Sequence, residues 1–354
     1  MPLSRVRIAT FRCLRDVDLA LDSSRNYVFG PNGAGKTSLL EAVFVLGRGR
    51  SFRTRQMRRL VQHGSDAFAV YGEVLAEDAT RRLGVAYRAG RLEKKLDGQP
   101  AQGMADLAAL LPVHALDPSI HGLVEGGPSE RRRFLDWGVF HVEPGYLEAW
   151  KRYRRVLSQR NAALKHAAAN AELRPWSKAL AEAGAVVEAS RRRYLDRLAP
   201  CVEQFGRQLL DAPLVLDYRA GWPSEVTLDD ALAGGEDRDR QSGTTEVGPH
   251  RAEIVFRLAE RRVQDEASRG QQKLTAAALI LAQVAVESVD RPMRSVLVVD
   301  DPVAELDSRS LERLLAALAN LRAQLIFTAL TPEQLRPAPG APVFHVERGG
   351  VREL

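Results

Sequence analysis

A glycine-rich turn near the start of the chain constrains the fold more than any other feature. Its sequence is Gly30-Pro31-Asn32-Gly33-Ala34-Gly35-Lys36-Thr37, followed by Ser38. The apolar run Tyr27-Val28-Phe29 precedes it, and apolar residues then recur at helical spacing (Leu39, Leu40, Val43 and Leu46). A strand, a glycine loop and a helix in this order are typical of a phosphate-binding loop, in which backbone N–H groups and a helix N-terminus surround phosphate oxygens.

Each part of this loop has an expected role. The residues from Gly30 to Ser38 are predicted to bind a nucleotide, because glycines let N–H groups converge on phosphate oxygens. Lys36 is expected against the β and γ phosphates, where it also serves catalysis, and Thr37 is expected to give its hydroxyl to Mg²⁺. The alternative, a glycine-rich turn with an incidental lysine, leaves the flanking strand and helix unexplained.

The second half of the site is expected far along the chain. Val296-Leu297-Val298-Val299 is typical of a buried strand, predicted beside the phosphate-loop strand, and Asp300 and Asp301 follow it. Asp300 is the expected Mg²⁺ ligand, and Asp301 is the expected general base or water-orienting group. Adjacent acids at a strand end are costly unless a cation or hydrogen bonds accept them. A loop that merely begins with acids is the alternative, and the order of the two halves favours the site.

A third motif points to a subclass. Ser268-Arg269-Gly270-Gln271-Gln272 precedes an apolar helix and resembles the signature motif of ATP-binding-cassette (ABC) ATPases. The resemblance implies that Ser268, Gly270 and Gln271 contact ATP bound by a second subunit, with Ser268 acting on the γ-phosphate, so that ATP holds a dimer together. Glu305-Leu306-Asp307 resembles the D-loop of this class, and Thr328 stands where many members carry a switch histidine. Gln56 and Gln62 both remain candidates for the Q-loop residue.

Strands and helices alternate at both ends of the chain, whereas the middle is helical. The sequence therefore predicts an α/β fold: an ABC-type phosphate-loop ATPase head with a mixed sheet and flanking helices, plus a mainly helical second lobe. Residues 1–112 and 290–354 are the expected nucleotide-binding lobe, and residues 113–289 are the expected helical lobe with the signature motif. Apolar spacing near residues 146–164 and 176–198 predicts a short antiparallel helix pair.

Composition bears on the partner and the compartment. Basic residues number 51 against 45 acidic residues, the net charge is +6, and 44 of the basic residues are arginine. This modest excess suits a polyanion such as DNA, although coding bias also produces arginine-rich chains. Apolar runs fall short of the roughly 18 residues of a membrane span. Cys13 and Cys201 cannot form a disulfide framework, so a reducing cytoplasm is expected and no membrane is predicted as a partner.

Three further segments resemble the RecF family of bacterial recombinational-repair ATPases, which is related to SMC heads. They are residues 118–136, residues 248–251 with the sequence Gly-Pro-His-Arg, and residues 46–54; Ser119 departs from the family pattern, where an acid is usual. The resemblance covers nearly the whole chain. It implies an ATP-driven homodimer that binds double-stranded DNA and gapped or single-/double-strand junctions, works with RecR and RecO, and promotes RecA loading. Slow, DNA-stimulated ATP hydrolysis is expected with it.

Arginines are the expected contacts to DNA. The candidates follow the first helix: Arg48, Arg50, Arg53 and Arg55. The arginines of the predicted helix pair are expected on solvated faces: Arg152, Arg154, Arg155, Arg191, Arg192 and Arg193. For Arg131-Arg132-Arg133, a structural role is weighed slightly above contact with phosphates. Residues 233–246, rich in glycine and charge, are predicted to be a mobile loop.

Three other functions share part of this pattern. The ATPase cassette of a membrane transporter has the phosphate loop, the signature and the acidic strand, but it usually carries Glu where this chain has Asp301, and the arginine-rich segment argues against it. A small-molecule kinase needs no motif like that at Ser268. A non-hydrolysing, ATP-gated DNA scaffold shares every motif and differs only in turnover.

Overall fold

The computed structural model describes residues 2–76, 79–166, 170–290 and 293–354. The chain forms two compact units, one made of Met1–Ile120 with Ala276–Leu354 and the other of His121–Thr275. These bounds differ from the predicted junctions after residues 112 and 289. The strand that begins at Val113 pairs with the acidic strand and therefore lies in the first unit, as does the second half of the helix before the acidic strand.

The strands are β1 (Leu3–Phe11), β2 (Leu14–Ala20), β3 (Arg25–Phe29), β4 (Ala67–Leu75), β5 (Thr80–Arg88), β6 (Arg91–Leu96), β7 (Gln99–Pro100), β8 (Val113–Leu116), β9 (Leu214–Arg219), β10 (Glu253–Leu258), β11 (Arg261–Arg262), β12 (Val296–Val299), β13 (Gln324–Ala329), β14 (Val343–Glu347) and β15 (Gly350–Glu353).

The α-helices are α1 (Lys36–Arg48), α2 (Met104–Leu110), α3 (Gly122–Glu125), α4 (Pro128–Val142), α5 (Tyr146–Lys165), α6 (Asn170–Leu210), α7 (Leu228–Gly234), α8 (Glu236–Ser242), α9 (Val263–Glu266), α10 (Arg269–Asp290), α11 (Pro302–Glu305), α12 (Ser308–Ala319) and α13 (Pro332–Leu335). Short 3₁₀ turns lie at Met57–Leu60 and Pro249–Arg251.

The first unit contains two six-stranded sheets. One, in the order β2-β1-β4-β5-β6-β7, is antiparallel. The other, in the order β15-β14-β3-β13-β12-β8, is parallel except for the β14–β15 hairpin. The prediction that the acidic strand lies beside the phosphate-loop strand is wrong, because β13 lies between β12 and β3.

The core of this unit surrounds α1. Eleven of its thirteen residues are buried, so the helix that follows the glycine loop is packed along most of its length. Leu39 and Val43 share one apolar cluster with Val28 of β3, Ile326 of β13 and Val298 of β12. Burial of this apolar surface, at about 25 cal/mol per Å², holds the strand ends and the helix start in register.

The second unit is built on α5 and α6, with the small sheet β11-β10-β9 beside them. The predicted helix pair is present, but α6 has 41 residues and is about 60 Å long, well beyond the predicted length. Helix α6 begins at Asn170, before the predicted start near residue 176, and contains Pro175 near its start. Pro200 also lies inside α6, where the missing N–H removes one helical hydrogen bond.

The predicted mobile loop at residues 233–246 is also wrong, since α8 occupies its centre. Asp239 of α8 has no exposed surface, and its Oδ2 accepts a hydrogen bond from Nη1 of Arg160 at 2.7 Å. The same Arg160 nitrogen donates to Oγ1 of Thr245 at 2.8 Å. A buried ion pair with α5 therefore orders a segment whose composition is typical of loops.

Within the described ranges, α10 is the one helix with the length and apolar composition of a membrane span. Of its most apolar window, 83% is buried in the protein. A buried core helix meets the same criteria, so this helix is weak evidence for a membrane segment. The mixed sheet with its flanking helices, the helical second unit and the position of the glycine loop together confirm the predicted fold class.

Candidate nucleotide-binding site

The glycine loop connects β3 to α1 and takes its shape from β14. At Gly30 the backbone has φ +152°, and a Cβ there would lie 2.2 Å from the carbonyl oxygen of Val346. Any larger residue would push β14 away from β3. The loop closes on itself through a hydrogen bond from the N–H of Ala34 to the carbonyl of Pro31 at 3.2 Å.

The middle of the loop is open. Gly33 has φ +78°, and a Cβ placed there would meet no heavy atom within 4 Å. The N-terminus of α1, a helix of 13 residues, begins three residues later. Free backbone N–H groups and the partial positive charge at a helix start favour a phosphate group at such a position.

Lys36 folds back over the loop. Its Nζ donates to the carbonyl oxygens of Gly30 at 2.7 Å and Pro31 at 3.2 Å, and its side chain is buried. Burial lowers the pKa of Lys36, while the nearby carboxylates of Asp301 and Asp300 act to raise it. The ammonium group therefore lies inside the loop, on carbonyl contacts that a phosphate can replace.

Thr37 and Asp300 are brought together as the sequence predicted. The Thr37 hydroxyl donates to Asp300, with both carboxylate oxygens at 2.9 Å, and Asp300 is 6% exposed. Burial raises the pKa of Asp300, whereas hydrogen bonds from Thr328 and Thr37 lower it. A hydroxyl and a carboxylate fit Mg²⁺, which takes few protein ligands and completes its octahedron with water and phosphate oxygens.

Thr328 on β13 connects the two acids. Its hydroxyl donates to Oδ1 of Asp300 at 2.8 Å and accepts from the backbone N–H of Asp301 at 2.9 Å. Asp301 is held in a left-handed conformation, with φ +43° and ψ +58°. Because β13 lies between β3 and β12, Thr328 reaches the turn that contains Asp300 and Asp301. The sequence alone left the role of Thr328 open.

Sequence reasoning missed a buried acid one turn into α1. Glu41 has no exposed surface, and Arg12 donates to its two oxygens from Nε and Nη2, each at 2.9 Å. Ser51 Oγ also donates to Glu41 and accepts from the N–H of Arg53. A charged residue within the apolar pattern of α1 was the available signal. This network ties the segment after α1 to the phosphate helix.

The two Q-loop candidates differ in their surroundings. The side chain of Gln62 lies 3.4 Å from the carbonyl oxygens of Cys13 and Leu14. Those two residues contact the loop, since a Cβ on Gly35 would lie 2.9 Å from Leu14 and 3.0 Å from Cys13. Gln56 is exposed, and its N–H bonds to Thr54 nearby. Proximity to the loop favours Gln62.

The signature residues lie in the second unit, at the start of α10. The N–H of Ser268 donates to Oε1 of Gln271 at 3.0 Å, and the N–H of Gln271 donates to Oγ of Ser268 at 3.3 Å. This reciprocal pair is a capping box, which fixes the first turn of a helix. Ser268, Gly270 and Gln271 are all exposed. The helix start is thus ordered and accessible.

Asp307, in the segment that resembles a D-loop, lies at the start of a helix. Asp307 caps α12 by accepting from the N–H of Ser310 at 3.0 Å, and that backbone bond lowers its pKa.

The candidate DNA contacts differ in their exposure. Arg50, Arg53 and Arg55 are exposed. Arg48 is only partly exposed, with its guanidinium 5.4 Å from the ring centre of Phe44, so it fits an external polyanion less well.

The family-like segment at residues 118–136 contacts the residues that directly follow the segment at 248–251. Arg131 pairs with Glu253 at 2.8 Å, and Arg132 donates to the carbonyl of Ala252 at 2.9 Å. These contacts agree with the structural role expected for this arginine run. Tyr153 and His250 also meet, with the Tyr153 hydroxyl 2.6 Å from Nδ1 of His250.

The prediction that Arg191 lies on a solvated face is wrong. Its side chain has no exposed surface and pairs with Asp136 at 2.8 Å. It also donates to the carbonyl of Pro249 at 2.7 Å and lies 5.3 Å from the ring centre of Trp150. Arg191 therefore joins α6 to both segments, whereas the adjacent Arg192 has an exposed side chain.

A family model and the sequences of known proteins indicate the same family for this chain. The model of the RecF/RecN/SMC N terminal domain matches residues 2–349. The DNA replication and repair protein RecF of Pseudomonas putida (strain W619) is 40% identical, and the alignment covers all of this chain and 98% of that protein. RecF of Thioalkalivibrio sulfidiphilus (strain HL-EbGR7) is 41% identical, with 99% of each chain covered.

Solved structures agree. The recombination mediator protein RecF with ATP, from the RecFOR pathway, superposes with a TM-score of 0.87 at 25% identity, covering 100% of this chain and 97% of that one. An Smc head bound to the C-winged helix domain of ScpA gives a TM-score of 0.62 at 14% identity, covering 100% and 97%. At that identity the Smc likeness supports the fold alone.

Proposed function

Because this chain belongs to the RecF/RecN/SMC N-terminal domain family and, like its RecF relatives, acts in DNA replication and repair, we propose that it is an ATP-driven homodimer that binds gapped or junction DNA. We further propose that it hydrolyses ATP slowly with stimulation by DNA. RecR and RecO are the proposed partners, RecA loading is the proposed outcome, and the cytoplasm is the proposed compartment.

One observation carries the nucleotide part of this proposal: Thr37, Asp300 and Thr328 form a single hydrogen-bonded group beside the glycine loop. In the proposed complex the residues from Gly30 to Ser38 hold the phosphates of ATP. Thr37 and Asp300 hold Mg²⁺, which supplies charge neutralisation at the phosphates when bound. Lys36 then exchanges its contacts with loop carbonyls for contacts with phosphate oxygens.

Asp301 is the proposed base or water-orienting group. Its carboxylate acts to raise the pKa of Asp300 and, against the larger effect of burial, that of Lys36, which supports its place in the proposed site. Aspartate is one methylene shorter than the glutamate usual at this position in transporter cassettes. The shorter reach to an attacking water supports slow turnover.

The exposed start of α10 is the proposed contribution of each subunit to its partner's nucleotide. The capping box of Ser268 and Gln271 orders this helix start without burying it. A helix N-terminus that begins with an exposed serine is complementary to a γ-phosphate. ATP would therefore be enclosed by two copies of the chain.

DNA binding is proposed to use the phosphate backbone. Arg50, Arg53 and Arg55 present charge on the segment that Ser51 ties to α1. Contacts of this kind release counterions, so DNA affinity should fall steeply with salt. Mixed-sequence and repetitive DNA of the same structure should then bind about equally.

The test is the mass in solution with Mg²⁺ and ATP or ADP, with and without gapped DNA. A dimer is expected with ATP only, and Lys36→Ala should remain monomeric. Ser268→Ala should bind ATP normally but dimerise at least tenfold more weakly, with the exposed Arg192→Ala as a matched control.

Asp301→Asn should form a long-lived ATP dimer on DNA. Monomers at saturating ATP, Mg²⁺ and DNA would contradict the proposed dimer. A wild-type dimer that never turns over ATP, even with DNA, would instead identify the chain as a non-hydrolysing scaffold.

A further inference from the structure

The first unit has a small pocket of mixed polar and apolar lining, away from the glycine loop. It is lined by the start of β3, by β13, by α12 and by the segment that follows α13. Side chains alternate along a strand, so Tyr27 and Phe327 project on the opposite face of the sheet from Val28 and Ile326, which pack with α1. The pocket therefore shares no wall with the phosphate helix.

Its size matches one aromatic ring. The volume is about 140 Å³, and the wall includes Tyr27 and Phe327, whose rings stack with centres 5.3 Å apart. A protein cavity of roughly 150 Å³ with apolar walls accommodates benzene. Leu318 and Leu335 complete an aliphatic wall, and both are almost fully buried. A phenyl side chain is small enough to enter this space, where it would contact the exposed part of the aromatic pair, which amounts to 6% of Tyr27 and 4% of Phe327.

The charge around the pocket has one sign. Arg25 and Arg336 both line it, and its described lining includes no acidic side chain. Arg25 is oriented by a hydrogen bond from Nη2 to the carbonyl of Ala319 at 2.9 Å. Arg336 is exposed and held with φ +47°, in the left-handed region that few non-glycine residues adopt. Guanidinium groups favour carboxylates, which they bind through two parallel hydrogen bonds.

We propose that this pocket binds a phenylalanine side chain of a short acidic segment in a partner protein. The ring enters between the aromatic pair and the leucines. Carboxylates next to it in the partner sequence pair with Arg25 and Arg336. Such an arrangement is a small anchor site, in which one buried aromatic residue supplies most of the affinity and the charges set the orientation.

The test uses the full chain and a fluorescein-labelled peptide, Gly-Asp-Glu-Phe-Asp-Gly, in a polarisation titration. Saturable binding is expected, with at least a tenfold loss when the peptide Phe is replaced by Ala. Ala338→Phe, which fills the pocket from its lining, should cause a similar loss. Arg336→Glu should weaken binding at least tenfold, whereas Arg352→Glu, an equal charge change on β15, should not.

ATP binding by all three variants should equal that of the unsubstituted chain, which shows that each is folded. Equal affinity for the Phe and Ala peptides, or no saturable binding, would overturn the proposal. So would equal effects of Arg336→Glu and Arg352→Glu. If Ala338→Phe bound the peptide normally but weakened the ATP-dependent dimer, the pocket would be a contact between subunits and the proposal would be wrong.

Discussion

The nucleotide site of the first unit and the surroundings of the buried Arg191 in the second unit use similar polar groups in different ways. Around the glycine loop, Lys36 and Thr37 bond to carbonyl and carboxylate oxygens that a ligand or a metal ion can replace. Around Arg191, every described contact is with the protein itself, and the guanidinium has no exposed surface. Bonds that a ligand or metal ion can replace thus mark a site that receives a ligand, and bonds made to a guanidinium with no exposed surface mark one that holds the fold.

The largest expected effect separates binding from stability. Lys36→Ala should reduce ATP affinity by more than a hundredfold, because it removes the cation that faces the phosphates. The free energy of unfolding should change by less than about 1 kcal/mol, since the side chain makes only exchangeable contacts with its own loop. Calorimetric titration with ATP and urea denaturation measure the two quantities. A large loss of stability would place Lys36 in the same class as Arg191.

Arg191→Ala should show the converse behaviour. Removing one partner of a buried ion pair typically costs about 3–5 kcal/mol. The Asp136 side chain is 21% exposed and can still meet water, so a cost near the lower end of that range is expected. Arg192→Ala is the matched control: its side chain is 59% exposed and should change stability by no more than about 0.5 kcal/mol. Urea denaturation gives both values. Similar values for the two variants would remove the basis of the comparison.

Acid should affect the second unit through His250. Burial lowers the pKa of His250 to about 4, below its ordinary value near 6.5. The unfolded chain therefore takes up a proton as the pH falls through about 6.5, and the folded chain does so only near pH 4. This histidine should contribute full stability above pH 6.5 and lose up to about 3 kcal/mol towards pH 4. His250→Gln should flatten that part of the stability curve, and an unchanged slope would refute the assignment.

The smallest expected effect concerns Thr328. Thr328→Val keeps the shape but removes the hydroxyl that bonds to Asp300 and to the N–H of Asp301. ATP hydrolysis should fall by roughly tenfold, equivalent to about 1.4 kcal/mol, with ATP affinity nearly unchanged. Thr328→Ser retains the hydroxyl and should restore the rate. Loss of ATP binding in the valine variant would assign Thr328 to binding instead of positioning.

The comparison also explains what the sequence could predict. The glycine loop, Thr37 and Asp300 were located because phosphate and metal chemistry require particular residue types next to a strand or a helix. The fold class followed from the same elements. These signals are local, so a short stretch of sequence contains them.

The parts that sequence reasoning missed depend on distant partners. Arg191 looks like its solvated neighbours until α4 brings Asp136 against it. The residues around Asp239 have the composition of a loop. The ion pair with Arg160 on α5 stabilises them as a helix, and the sequence does not reveal that pair. The position of β13 between β3 and β12 is a matter of topology, which alternating hydrophobicity does not encode.

The contact between Gly30 and Val346 has a consequence for synthesis. The strands on either side of β3, which are β13 and β14, are synthesised only after the whole of the second unit. A nascent polypeptide thus carries the complete glycine-rich motif without the framework that shapes it. Chains stopped early are expected to be inert, so the cell is spared truncated copies that could capture ATP and pair unproductively with intact ones.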